Sequence, residues 1–287
     1  MTVDKLRVCV RIWMLCGILF IVSTGGSYIP VSSAAEGQAT VKANNHSQKR
    51  LAVIIDDLGN KMKGTEEIIA MPVKLTVAVM PFLPSTEQDA KLAHEKGHDV
   101  LVHLPLEPKQ GRPEWLGPGA ILSNMTDGEV RKKVEEAIDN VPFAVGINNH
   151  MGSKITGDKR IMSVILDVCR ERGLFFVDSK TNYWSVVGEM SGEKGLPELH
   201  NDIFLDDVHT EQHITGQFRK IEELLTQRGK CVSIGHVGVK GLKTASVLKR
   251  IIPEFQSKGI TFVGISDFAL QQGKSSGIGS GPGYTLP

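Results

Sequence analysis

Six apolar runs in this 287-residue chain end in side chains that can hold a metal or move a proton. The first ends in Asp56 and Asp57. The others lead to His103 with Glu107 just beyond, to Asn148, Asn149 and His150, to Asp178, Ser179 and Lys180, to Asp206 and Asp207, and to His236. Two adjacent carboxylates directly after an apolar run repel each other and lose solvation, and a divalent cation would offset both effects. Neighbours on a strand point to opposite sides, so Asp56 and Asp57 reach one centre only where the chain turns. Gly59 permits such a turn. A helix cap from one Asp beside a solvated second Asp explains the pair equally well. His103, between Val102 and Leu104, fits a hydrogen-bonded core histidine as readily as a ligand. His150 precedes Met151, Gly152 and Ser153 in a polar turn and is harder to explain by packing. One Asp and two His from separate run ends match a zinc-type site with three protein ligands and an open position for water. Oxygen and imidazole donors also suit other first-row metals. The remaining histidines fall in tether, helix or loop positions and read as surface or structural residues.

Those side chains need a scaffold that gathers run ends. Continuous apolar runs at 51–55, 75–80, 100–104, 143–148, 174–177, 203–205, 231–234 and 260–263 read as strands buried on both faces. Between them lie helical segments at about 62–71, 85–96, 126–140, 158–172, 210–228 and 242–258, several stopped by glycine. Strand–helix alternation predicts an α/β fold with a parallel sheet. Length and regularity favour a deformed (β/α) barrel of seven to eight parallel strands over an open doubly wound sheet. In such a barrel the site lies where strands end, where the Asp and His residues recur. There is no G-x-G-x-x-G after the first strand and no phosphate loop of the Gly-Lys-Ser/Thr type.

Composition narrows the classes further. With 33 basic and 32 acidic residues the formal charge is +1, which speaks against a nucleic-acid binder. Four cysteines are too few for a disulfide framework, and Cys169 and Cys231 read as buried thiols rather than a pair. Lys5, Arg7 and Arg11 precede a short apolar run and then the small residues ending at Ala35. This order predicts a secretory signal over 1–35, and an uncleaved anchor is the alternative. Either way the folded part is expected outside the cytoplasmic membrane, touching it only through this segment. Residues 36–50 read as a polar linker, 51–270 as the barrel and 271–287 as a disordered tail.

The motifs, taken in order, resemble the divergent polysaccharide deacetylase family. They are the run 51–59 with Asp56, Asp57 and Gly59; His103 to Pro108; Gly146 to Ser153; Phe204 to Asp207; and Ile234 to His236. The resemblance implies a deformed barrel, a metal held by Asp, His and His, and removal of acetyl groups from N-acetylated sugar polymers, with zinc the expected metal. It makes Asp56 the base, Asp57 a ligand and His236 the acid. The better-studied relatives carry two histidines on one loop, whereas here Glu107 stands in the second place. The third ligand is then His150 or Glu107, and His150 is favoured because it also ends a strand. Glu107, Asn149 and Asp178 are the expected substrate contacts. Asp178, Asp206 or Asp207 could orient His236. Trp115, Tyr183 and Trp184 could stack on a sugar or simply pack at the rim. The implied partner is peptidoglycan or another N-acetylated glycan. A barrel that binds glycan or a partner protein without catalysis, or a metal hydrolase of another bond, are the alternatives.

Overall fold

The computed structural model describes residues 48–275, so the expected signal and most of the linker lie outside the described residues. Strands and helices alternate along the chain: β1 (Lys49–Leu58), α1 (Thr65–Ile69), β2 (Thr76–Val79), α2 (Thr86–Glu95), β3 (Asp99–Leu106), α3 (Asp127–Asn140), β4 (Ala144–Met151), α4 (Lys159–Glu171), β5 (Phe175–Asp178), α5 (Val187–Glu193), β6 (Leu199–His200), β7 (Ile203–Phe204), α6 (Glu211–Arg228), β8 (Lys230–His236), α7 (Gly241–Ser257), β9 (Ile260–Val263) and α8 (Ile265–Ser275). Local signals explain many ends. Thr126 and Glu129 form a reciprocal capping box on α3, Asp158 caps α4, and Thr210 caps α6.

All strand pairings are parallel, in the order β6-β5-β4-β3-β2-β1-β8-β7. On its other side β1 is shared: β9 pairs with Lys49–Ala52, and β2 with the stretch from Ile54 onward. The two ends of this sheet, β6 and β7, are joined by Asn201 and Asp202 alone. So short a link spans about 10 Å at most, so the sheet must curl until its ends meet. Asn201 N–H donates to the Asp178 carbonyl of β5, and Asp202 N–H to the Val232 carbonyl of β8, both at 2.9 Å. One interrupted strand thus closes a deformed (β/α) barrel, in agreement with the sequence expectation.

Alternation divides the apolar side chains into two layers. Ala52, Ile54, Ala78, Leu101, Phe175, Val177, Val232 and Ile234 fill the barrel, joined by Ile265 and Phe268 of α8. Val53, Ile55, Val77, Val102, Ile147 and Phe176 pack outward against the helices. A Cβ on Gly146 would come within 2.5 Å of the Phe175 ring, so glycine there makes room for that ring inside the barrel.

The first turn of α8 is bonded to strand starts: Ile265 N–H reaches Thr76 Oγ1 at 2.9 Å and Ser266 N–H reaches Asp99 Oδ2 at 2.8 Å. This helix plugs the lower end and leaves the C-terminal ends of the strands as the mouth. It also moves a boundary. The tail was expected from Gln271, but α8 continues to Ser275, with Gln271 bonded to Arg50. Its apolar residues supply the burial that the polar composition of the segment conceals. The first helix is shorter than expected and α5 was not expected at all. Cys169 and Cys231 are both buried and unpaired, and burial pushes both thiols up. Among the described residues no helix is long and apolar enough to cross a membrane.

Candidate metal centre

Period alone carries Asp56 into the barrel, after Ala52 and Ile54. The same period would turn Asp57 outward. Two features reverse it. Asp57 sits in the left-handed region with φ 71°, and the β1–β2 register slips beside it: Ile55 faces Val77, yet Leu58 faces Val79. The extra residue is a bulge, which re-aims a side chain. A left-handed backbone at a residue with a side chain costs about 1–2 kcal/mol, and aspartate tolerates it better than most. Gly59, expected to permit the turn, does take a positive φ of 116°, and Asp57 itself turns as well. Neither Asp caps α1, whose N-cap is Gly64.

Asp57 Oδ1 stands 3.3 Å from His103 Nε2 and 3.1 Å from His150 Nδ1, and these two nitrogens are 3.1 Å apart. Hydrogen bonds behind the rings settle which nitrogens carry protons. Asn148 Nδ2 donates to Asp56 Oδ1 at 2.8 Å, which turns Asn148 Oδ1 toward His103 Nδ1, also at 2.8 Å. In the neutral ring His103 Nδ1 is therefore the donor and Nε2 keeps its lone pair. His150 Nε2 lies 2.9 Å from the Trp115 carbonyl, which can only accept, so His150 Nδ1 keeps its lone pair. Asp57 Oδ1 is buried and accepts no hydrogen bond. Three lone-pair atoms thus face one another, within 4.8 Å, in a group able to hold a metal ion. Two imidazole nitrogens and one carboxylate oxygen fit a three-ligand zinc-type site.

The electrostatics agree. Burial pushes the Asp57 carboxyl up, but the facing His103 and His150 rings outweigh it and hold the group well below the ordinary range. Burial pushes His103 down, but the Asp56 and Asp57 carboxylates outweigh it and lift the ring to about 9. Without a cation, then, the site draws in a proton. Asp56 is raised by its burial, against the pull of His103 and His236.

His236 ends β8 directly opposite Asp56 in the β1–β8 register. Its Nδ1 is 2.7 Å from Asp206 Oδ1, and its backbone N–H donates to Asp206 Oδ2 at 2.8 Å. Thr244 Oγ1 donates to the same Oδ2 at 2.7 Å. Burial disfavours the charged ring, yet Asp206 more than compensates and raises His236. Burial raises Asp206, and the bonds from His236 and Thr244 outweigh it, leaving the carboxyl low. Of the three carboxylates considered for orienting His236, Asp206 does so. Asp207 pairs with His213 at 2.6 Å, and Asp178 receives Lys180 N–H at 2.8 Å with Lys180 Nζ at 3.3 Å.

The expected substrate contacts are engaged within the protein. Glu107 accepts Lys154 Nζ at 2.6 Å and Ser123 N–H at 2.5 Å. Asn149 Oδ1 accepts Ser179 N–H at 2.9 Å, and its Nδ2 donates to the Met151 carbonyl at 2.7 Å. Both brace loops rather than reach the ligand cluster, and Glu107 is not among its three residues. Sequence reasoning missed Asn148 and the Trp115 carbonyl as the groups that set the histidine protons. Asn148 was visible only as one of two adjacent asparagines, and a backbone carbonyl has no sequence signal.

Comparison with known proteins decides the family. The profile of the divergent polysaccharide deacetylase family matches residues 53–269, from β1 into α8. The chain belongs to this family. An uncharacterized protein of Escherichia coli K12 is 35% identical over 187 residues, which cover 65% of this chain and 58% of that one. The chain therefore spans less than two thirds of that relative. An uncharacterized Haemophilus influenzae protein is 32% identical over 208 residues, 72% of this chain and 74% of that one. Among solved structures, an uncharacterized protein from Agrobacterium tumefaciens C58 has a TM-score of 0.72 at 21% identity, covering 77% of this chain and 89% of that one. The Xyl-CE4 domain of a multidomain xylanase from the Trinervitermes trinervoides hindgut metagenome has a TM-score of 0.50 at 13% identity, covering 79% and 92%. These two likenesses concern the fold.

Proposed function

We propose that this family member is an exported, zinc-dependent hydrolase that removes N-acetyl groups from a cell-envelope polysaccharide such as peptidoglycan. One observation carries the reading: three buried or half-buried donor atoms face one another with their protons fixed on the far side. With both rings neutral such an arrangement is repulsive, and a proton on His103 or a metal ion relieves it. Asp57, His103 and His150 would hold the ion. When bound, it supplies a Lewis acid for the acetyl carbonyl and makes a nearby water easier to ionise.

The chain's own residues divide the remaining work. Asp56 is the base: it lies at the metal centre, 3.8 Å from His103 Nε2, and its raised carboxyl takes up a proton more readily than an ordinary aspartate. His236 is the acid. Asp206 holds Nδ1, while Nε2 makes no hydrogen bond with the described residues and is left to donate to the departing amine. Asn148 links Asp56 to His103 and keeps base and ligand in fixed relation. Phosphoester chemistry wants free cations beside the reacting group. The lysines near the motifs are neutralised instead, Lys154 by Glu107 and Lys180 by Asp178.

The test combines elemental analysis with acetate release from wall glycan and chitin-like oligomers. Stoichiometric zinc with acetate release supports the reading. Folded protein that binds no divalent metal and releases no acetate would falsify it.

A further inference from the structure

The connection between β3 and α3, residues 107–126, is longer than most barrel loops, and loops of that length are usually functional. Its base is pinned. Leu106 bridges to Ile121, Glu107 N–H donates to the Ile121 carbonyl at 3.0 Å, and Ile121 N–H donates to the Pro105 carbonyl at 2.9 Å. Its tip meets the metal centre through one bond, from His150 Nε2 to the Trp115 carbonyl at 2.9 Å. Leu116 beside it is buried, whereas the Trp115 side chain is 59% exposed, with the Arg112 guanidinium 5.7 Å from its ring. An exposed indole is therefore separated from a candidate metal ligand by its own backbone and one hydrogen bond.

We propose that Trp115 is a positioning residue that links glycan binding to metal binding. The carbonyl keeps the proton of His150 on Nε2 and so presents Nδ1 to the ion. The indole offers an apolar face on which the C–H face of a pyranose ring can rest, burying area that is now wet. A sugar seated there holds the loop tip down and with it the carbonyl. By reciprocity an ion at His150 then strengthens sugar binding by the same factor. The inference rests on the deacetylase reading. It does not extend to Tyr183 and Trp184, which are also exposed. Their loop is bonded to Asn149 and Met151, not to the His150 ring.

The test measures zinc affinity of the full chain by chelator competition, with and without an N-acetylglucosamine pentamer. A His236→Ala background keeps the pentamer from being consumed. The pentamer is expected to tighten zinc by about 5-fold or more, the lower range of such linkages. Trp115→Ala keeps the carbonyl, so zinc affinity without pentamer stays within about twofold, while the pentamer's effect disappears. Trp184→Ala retains the effect. Removing residues 110–116 deletes the carbonyl as well and weakens zinc about 10–100-fold. Zinc and pentamer both bound without mutual effect, or an effect that survives Trp115→Ala, overturns this inference alone. A folded chain that binds no zinc overturns the hydrolase reading and this inference with it.

Discussion

Histidine and aspartate are buried at both ends of β3, with opposite outcomes. At the lower end, His98 Nδ1 accepts the Leu75 N–H at 3.1 Å and His98 Nε2 donates to the Ile69 carbonyl at 3.0 Å. Asp99 beside it takes Ser266 N–H at 2.8 Å and Lys74 Nζ at 2.9 Å. Every donor there meets an acceptor. Burial, the largest influence, lowers His98 and favours the neutral ring. At the upper end, His103 Nε2, His150 Nδ1 and Asp57 Oδ1 face one another, with Asp56 Oδ2 next at 3.8 Å from His103 Nε2. Residue type is shared by the two ends, and so is burial for His98, Asp99 and His103, while Asp57 and His150 are half-buried. What differs is whether the facing groups complement each other, and only the incomplete set calls for an ion.

Substitution should separate the two ends most sharply. Asp57→Ala or His150→Ala removes a donor atom and should abolish both stoichiometric zinc and acetate release. The loss of zinc affinity should exceed the roughly 10–100-fold effect typical of groups that merely orient ligands. His98→Ala should leave zinc content unchanged. It strands the Leu75 N–H and the Ile69 carbonyl and should lower stability by about 1–3 kcal/mol. Elemental analysis and urea unfolding of the same three proteins read both effects. Zinc retained by Asp57→Ala would erase the contrast.

Much of this contrast was legible in the sequence. The strand runs are continuous and apolar, so the barrel could be read from them, and the Asp and His residues stood at their ends. The sequence did not show how Asp57 enters the barrel, because a left-handed φ at a non-glycine residue answers to its surroundings rather than its own type. Nor did it show β6, whose two residues, Leu199–His200, carry no periodicity. Asp206 could not be told from Asp178, since both follow apolar runs and only the register places Asp206 under His236. The Trp115 carbonyl is backbone, and any residue there could supply it.

The acid–base pair offers the next largest effect. His236→Ala should keep zinc and lower kcat about 10²–10⁴-fold, the usual range for a general acid. Asp206→Asn tests the partner through pH. His236 is raised in the folded protein, so its charged form is stabilised below its unfolded value, and that contribution is lost as pH rises through the folded value. Removing the Asp206 charge removes the chief upward influence. The alkaline limb of the kcat profile should therefore move to lower pH, whereas an unmoved limb would assign the acid elsewhere.

Zinc affinity itself should depend on pH at the upper end. In the metal-free site His103 is raised to about 9, so at neutral pH a proton occupies the ring that the ion needs neutral. Apparent affinity should climb by about tenfold per pH unit below that value, with about one proton released per ion. Chelator competition at several pH values, with proton release followed in a weak buffer, measures both. A flat profile would mean that the upper end is already complete without a cation, as the lower end is.

Glu107 gives the smallest effect and the finest distinction. It lies at the mouth, and it occupies the place where better-studied relatives would carry a second loop histidine. By its bonds, however, it behaves like the groups at the lower end: one oxygen holds Lys154 and the other holds Ser123 N–H. Burial raises its carboxyl, and Lys154 and Ser123 outweigh that and leave it lowered, as expected for a group already supplied with partners. Glu107→Gln keeps an oxygen for Ser123 and turns an NH2 donor toward Lys154, which is half-exposed and can turn to water instead. The cost should be about 0.2–1 kcal/mol of stability, as for surface ion pairs, with zinc affinity unchanged. If Glu107 rather than His150 completed the ligand set, the same substitution would weaken zinc at least as much as His150→Ala. Measuring the two variants side by side therefore decides which residue is the third ligand.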